Sequence, residues 1–209
     1  MSRPSPIPAA PIETSDPAYA DRLSRLGDVW WKRLLDVQRP YRWHLQKLEL
    51  GFVLDLGCGI GRNLRHLKGN GVGIDHSSEA IARCTERGLV AFTPAEFKNS
   101  KFATPGRFDS LLVAHVIEHM TGKQARELLR EYLPYVRHDG RVVLIVPQEQ
   151  GQQSDPTHRE FVSLAGLHLL ARDLGLVPEK AYSFPFPRAA GRLFAHNESV
   201  VIARHVVPR

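Results

Sequence analysis

The run Val53-Leu54-Asp55-Leu56-Gly57-Cys58-Gly59-Ile60-Gly61 limits the fold more than any other stretch of the chain. Apolar residues lead into three alternating glycines, and a helical pattern over 62–68 follows at once. A strand turns this sharply into a helix only where the backbone is free to adopt positive φ. The same lack of side chains lets a nucleotide-like ligand approach the backbone. A second acid, Asp75, closes the next apolar run, where a carboxylate accepts hydrogen bonds from both hydroxyls of a ribose. The dinucleotide fingerprint G-x-G-x-x-G fails, because Arg62 stands in its third glycine position. Asp55 would repel a pyrophosphate. It suits a ligand carrying positive charge, such as an amino group or a sulfonium. The plainer alternative is a glycine turn that only packs a helix on a sheet.

Strands and helices then alternate. Strands are expected at 52–56, 71–75, 89–92, 108–115 and 141–147, with two more at 177–184 and 199–206. Helical patterns fill 62–68, 77–87, 123–133 and 163–174, with Ser77 and Ser78 as N-cap oxygens and Gly88 at a C-cap position. The runs at 108–115 and 141–147 are continuously apolar, as in strands buried on both faces. This order predicts an α/β fold with a mostly parallel sheet and helices on both sides. Ahead of it, residues 1–17 carry five prolines and read as a flexible tail. Leu23, Leu26, Trp30, Leu34 and Val37 then recur at helical steps, Pro40 interrupts them, and a short helix over 41–48 follows.

A length of 209 residues fits one domain with a small appendage, and 43% hydrophobic with 24% charged residues excludes a wholly disordered chain. No apolar run approaches the roughly 20 residues of a membrane helix, and the N-terminus lacks the apolar core of a secretory signal. Cys58 and Cys84 make neither a disulfide framework nor a zinc pattern, so a cytoplasmic protein is expected. The net charge of +6 is spread along the chain, which argues little for a nucleic-acid partner.

VLDLGCGIGRNL, with Asp75 after the second strand, resembles motifs I and II of the class I S-adenosylmethionine (SAM) methyltransferases. The resemblance continues through FDSLLVAHVIEHM, LREYLPYVRHDGRVVLIVP and DPTHREFVS, and covers about residues 40–209. It implies a Rossmann-like seven-stranded sheet of order 3-2-1-4-5-7-6 with the last strand antiparallel. It also implies SAM as cofactor, a helical lid over residues 18–50 and a SAM-binding domain over 51–209. Carried onto this chain, Gly57 and Gly59 border the methionyl end of SAM, Asp55 lies near its amino group and Asp75 holds the ribose. Ala95 and Glu96 flank the adenine, with Pro94-Ala95 where the family often has Asp-Ala. Ala114 closes the fourth strand beside the cofactor.

Features of the acceptor side narrow the chemistry. The Asp/Asn-Pro-Pro-Tyr signature of base amino-methylation is absent, and so is a Pro-Cys nucleophile. His115-x-x-Glu118-His119 stands at the carboxyl end of the fourth strand, where open α/β sheets bind ligands. Two imidazoles and a carboxylate make a plausible face for a divalent cation; a buried, satisfied Glu–His pair explains the same residues. The cluster resembles the Glu-x-x-Glu-His group of ubiquinone-pathway O-methyltransferases, which implies Mg2+ or another divalent cation on His115, Glu118 and His119. That subgroup also implies Arg42, in Tyr41-Arg42-Trp43, as the partner of the SAM carboxylate. Gln148, Glu149, Gln150, Gln152, Gln153, Asp155 and His158 read as a loop too polar for the core, facing the same sheet edge. His158 and His115 are the candidate bases. Trp30, Trp31, Trp43 and Tyr41 supply lid aromatics.

The expected reaction is O-methylation of a small polar acceptor, a sugar or oligosaccharide. A resemblance in size and composition to mycobacterial polysaccharide O-methyltransferases points the same way. A phenolic or quinone-like acceptor and an RNA are the alternatives, and a homodimer stays open.

Overall fold

The computed structural model describes residues 38–155 and 157–206. The expected tail over 1–17 and the expected lid up to residue 37, with Trp30 and Trp31, lie outside the described residues.

Strands β1 (Val53–Leu56), β2 (Gly71–Ile74), β3 (Ala91–Phe92), β4 (Phe108–Ala114) and β5 (Val136–Pro147) run parallel. Strands β6 (Val177–Phe184) and β7 (Glu198–Arg204) complete a sheet of order β3-β2-β1-β4-β5-β7-β6, in which β7 is antiparallel to both neighbours. This is the sheet that the family resemblance implied. Helices α1 (Arg39–Lys47), α2 (Arg62–His66), α3 (Ser78–Glu86), α4 (Pro94–Lys98), α5 (Gly122–Tyr132), α6 (Glu149–Ser154) and α7 (Leu164–Asp173) cover it.

The period of two along each strand divides the core into two layers. Leu54, Leu111, Leu144 and Val201 face one side, against Leu129 of α5 and Leu167 of α7. Val53, Leu112, Ile145 and Val200 face the other, where α1 lays Leu45 against them. The end of the expected lid is therefore packed on the sheet. Full burial of a leucine contributes roughly 1.5–3 kcal/mol, so α1 is held by its own apolar face.

Two differences from the expected elements have physical causes. The run after β5 is a short helix, α6, and Gln148 before it is buried rather than solvated. Its Nε2 donates to Ser183 Oγ (2.8 Å) and to the Glu198 carbonyl (3.0 Å), and its Oε1 accepts from Asn197 Nδ2 (3.0 Å). A buried amide with both ends satisfied is stable in a core. The second unexpected helix, α4, starts at a reciprocal cap: Thr93 accepts from the Glu96 N–H, and the Glu96 carboxylate accepts from the Thr93 N–H (2.8 Å).

Candidate functional site

The glycine turn is wired to the end of β2. The N–H groups of Gly57 and Cys58 both donate to the Ile74 carbonyl, at 2.8 and 3.0 Å. Gly57 has φ +74°, and a Cβ there would meet Val116 Cγ2 at 2.3 Å. Only glycine combines that dihedral with that approach. Gly57→Ala is expected to cost about 2 kcal/mol in stability, from backbone strain and overlap together. Thermal melting checks it; an unchanged midpoint would contradict the close packing of the turn on the end of β4.

Asp55, on β1, is fully buried beneath this turn. Asn63 Nδ2 approaches its Oδ1 at 3.4 Å, while Oδ2 receives no hydrogen bond. Burial pushes its carboxyl up to about 7, against a smaller opposing effect of the Asn63 contact and of Arg62. Asp75, just past β2, closes the turn from the other side. Its Oδ2 accepts from the Gly59 N–H (2.8 Å) and its Oδ1 from the Ser77 N–H (2.9 Å). Each carboxylate oxygen retains a second lone-pair direction for another donor. The Cys58 thiol is pushed up by its hydrogen bond with Cys84 and by burial, so it is no nucleophile.

A small cavity of about 20 Å³ lies at the carboxyl end of β4. Tyr41 and His44 of α1, Arg62 and Asn63 of α2, and Ala114, His115, Ile145 and Glu198 line it. Arg62 lines this cavity, whereas Arg42, the expected partner of the SAM carboxylate, is half-buried on α1 and is not among the lining residues. Ala95 and Glu96 lie exposed at the start of α4, where the Glu96 carboxylate serves the helix cap.

His115 sits just past β4 with φ +61°, a dihedral unusual for a non-glycine residue and frequent at functional sites. Its Nε2 lies 2.9 Å from Glu198 Oε1, and its Nδ1 lies 3.3 Å from Glu118 Oε1. Burial opposes charge on the ring, but the two carboxylates outweigh it and push the pKa up to about 9. Glu198 is a candidate site residue that the sequence reading missed. It lies 83 residues from His115 and arrives through the antiparallel β7, paired with Pro147 at the end of β5. Gln148 holds its carbonyl. His44 stacks on Phe184 (4.1 Å between ring centres), and its Nε2 lies 2.6 Å from the Tyr182 hydroxyl.

The three expected metal residues do not share one point. Glu118, His119 and His158 have ligand atoms within 4.8 Å of one another, and His115 stands outside that group, between Glu118 and Glu198. Glu118 is completely buried and neither of its oxygens receives a hydrogen bond. Asp155 is occupied locally, accepting from the N–H (3.0 Å) and hydroxyl (2.8 Å) of Thr157. No described helix is long and apolar enough to cross a membrane.

Residues 53–140, from β1 into β5, match the sequence profile of a methyltransferase domain family. No curated protein matches the chain significantly. Among solved structures, a SAM-dependent methyltransferase from Archaeoglobus fulgidus is 18% identical with a TM-score of 0.64, over 84% of this chain and 97% of that one. Magnesium protoporphyrin IX methyltransferase from Synechocystis PCC 6803, with bound S-adenosylhomocysteine, is 13% identical with a TM-score of 0.64, over 92% and 96%. A putative methyltransferase complexed with the Trm112 methyltransferase activator of Haloferax volcanii is 18% identical with a TM-score of 0.60, over 87% and 96%. At these identities the likeness is one of fold. The profile match adds a methyltransferase domain over residues 53–140, across the strands that build the glycine turn, and the solved neighbours share the fold of SAM-dependent methyltransferases.

Proposed function

We propose that the enzyme methylates a hydroxyl of a small polar acceptor, a sugar or oligosaccharide, held between the glycine turn and the His115–Glu198 pair. The observation that carries this reading is the convergence of Tyr41, His44, Arg62, His115 and Glu198 at the carboxyl edge of the sheet. An acceptor with several hydroxyls would share these groups, which already pair Tyr41 with the His196 carbonyl, His44 with Tyr182 and His115 with Glu198.

The residues fit SAM. Asp55 offers a buried carboxylate oxygen without a hydrogen bond, which suits an ammonium group. Asp75 keeps lone pairs for the ribose hydroxyls, and Arg62 or Arg42 would meet the SAM carboxylate. When bound, SAM supplies a methyl group already activated on a sulfonium. The chain then has to place the acceptor oxygen in line and accept its proton. Glu198 would accept that proton, and His115, held charged between Glu118 and Glu198, would orient its carboxylate. Calorimetry separates the two arginines. Arg62→Ala is expected to weaken SAM roughly tenfold, the scale of one charged hydrogen bond, and Arg42→Ala by less than threefold. The reverse order would return the role to Arg42.

A divalent cation beside the acceptor belongs to the same proposal, and what supports it is the buried Glu118 carboxylate, whose Oε1 lies 3.3 Å from His115 and whose Oε2 has no partner among the described residues. A flat phenolic or quinone-like acceptor is the second reading, favoured by Phe186 and Phe194. These exposed rings meet edge to face at 5.3 Å in the segment joining β6 to β7.

The test is a methyl-transfer screen with labelled SAM across sugars, oligosaccharides, catechols and RNA. Label on a sugar oxygen supports the first reading, and label on a catechol the second. Transfer to RNA alone, falling steeply with salt, would contradict both.

A further inference from the structure

We propose that Glu118, His119 and His158 form a binding site for a divalent transition ion such as zinc, with His158 rather than His115 as the third ligand. This deepens the metal part of the proposed function. It is independent of which acceptor is methylated.

The loop from Asp155 to Glu160 is tied to Glu118 through the backbone: the N–H groups of Arg159 and Glu160 both donate to the Glu118 carbonyl, at 2.8 and 3.3 Å. That attachment brings His158 to His119, with ring centres 4.8 Å apart. Both imidazoles are oriented in the same way. His119 Nδ1 lies 3.2 Å from the Thr157 carbonyl, and His158 Nδ1 lies 3.0 Å from the Gln152 carbonyl. A carbonyl only accepts, so each Nδ1 carries the proton and each Nε2 keeps its lone pair. An N–H donated to a carbonyl from the far side of the ring is the usual support of a metal-bound histidine.

The third side chain supplies the charge. Glu118 is wholly buried, and its oxygens receive no hydrogen bond. An ionised carboxylate in that setting costs several kcal/mol unless a cation meets it. His115 Nδ1, at 3.3 Å from Oε1, answers part of that need. It leaves Oε2 without a partner among the described residues, and one carboxylate oxygen of Glu118 lies within 4.8 Å of a ring nitrogen of His119 and of His158.

The donor set selects the ion. Magnesium prefers an octahedron of oxygens and keeps its waters, whereas two imidazoles and one carboxylate suit zinc and its neighbours. Three protein ligands leave at least one position open for water or an acceptor oxygen.

Cobalt(II) titration of the chelated, dialysed full chain tests this, because its visible absorption reports nitrogen ligation without any turnover. One equivalent is expected to bind, to be displaced by zinc, and to survive millimolar magnesium. His158→Ala and Glu118→Gln are each expected to weaken cobalt roughly tenfold or more, while His115→Ala changes it by less than about threefold. SAM titrated into the same His158→Ala sample is expected to bind as in the wild type, which separates loss of the ligand from loss of the fold. His158→Gln serves should the alanine variant unfold. No cobalt spectrum in the wild type, equal binding in both His158 variants, or displacement by magnesium would overturn the proposal. Failure of every sugar to accept methyl would leave it standing.

Discussion

Replacing Asp55 by asparagine is expected to stabilise the ligand-free protein at neutral pH and to weaken SAM binding at least tenfold. Burial lifts this carboxyl from 3.8 to about 7 in the folded chain. Between those values the folded state binds more protons than the unfolded state, so stability falls as pH rises through the window. Above the folded value the ionised group costs on the order of 4 kcal/mol, at 1.36 kcal/mol per pKa unit. The neutral amide removes that cost and introduces one unpaired N–H, worth about 1–3 kcal/mol. The net gain is about 1–3 kcal/mol, read from thermal melts at pH 7.5. A melt that falls instead would show that the carboxylate is a structural anchor.

The same residue is expected to give SAM binding its pH dependence. An ammonium needs the ionised acid, of which roughly a tenth is present at pH 6 and three quarters at pH 7.5 for a pKa near 7. Affinity is expected to rise roughly eightfold between those values. It then levels or falls as the ligand's own amino group titrates, near the ordinary α-amino value of about 7.7–8.0. Asp55→Asn is expected to flatten the acid limb alone. An equally steep limb in the variant would assign the titration to another group.

The second large effect is expected at Asp75. Asp75→Ala removes the acceptor of two backbone N–H groups, Gly59 at 2.8 Å and Ser77 at 2.9 Å, as well as the proposed ribose partner. Each bond to a charged acceptor is worth about 1.5–3 kcal/mol. The variant is therefore expected to lose stability on that scale and to bind SAM roughly 10–150-fold more weakly. Asp75→Asn keeps one acceptor oxygen and should fall between wild type and alanine in both measurements. Calorimetry and melting on the three proteins settle the order. Wild-type affinity in Asp75→Ala would remove this residue from the site.

What could be read in advance followed chain-local signals. Strand periodicity, the glycine turn and the acids at the ends of β1 and β2 all depend on residues within about 25 positions of one another. They were legible because local sequence dictates a strand–turn–helix unit. Gln148 was misread because polarity alone marks it as surface; its burial depends on Ser183, Asn197 and Glu198, which only the closed sheet supplies. Glu198 carried no signal of its own, since an acid opening a strand gives no hint of facing a histidine 83 residues away. His158 was legible only as a candidate base. Its proximity to Glu118 depends on two backbone hydrogen bonds that no spacing rule anticipates. The α4 cap, Thr93-x-x-Glu96, was readable as a capping box and explains Glu96 without any ligand.

The most direct test of the SAM site is calorimetric titration of S-adenosylhomocysteine into the wild-type chain and into Asp55→Asn and Asp75→Ala at pH 7.5. The site described above predicts one molecule bound per chain, weakened at least tenfold by either substitution while both variants remain folded. No binding to the wild type, or binding that neither substitution alters, would contradict it.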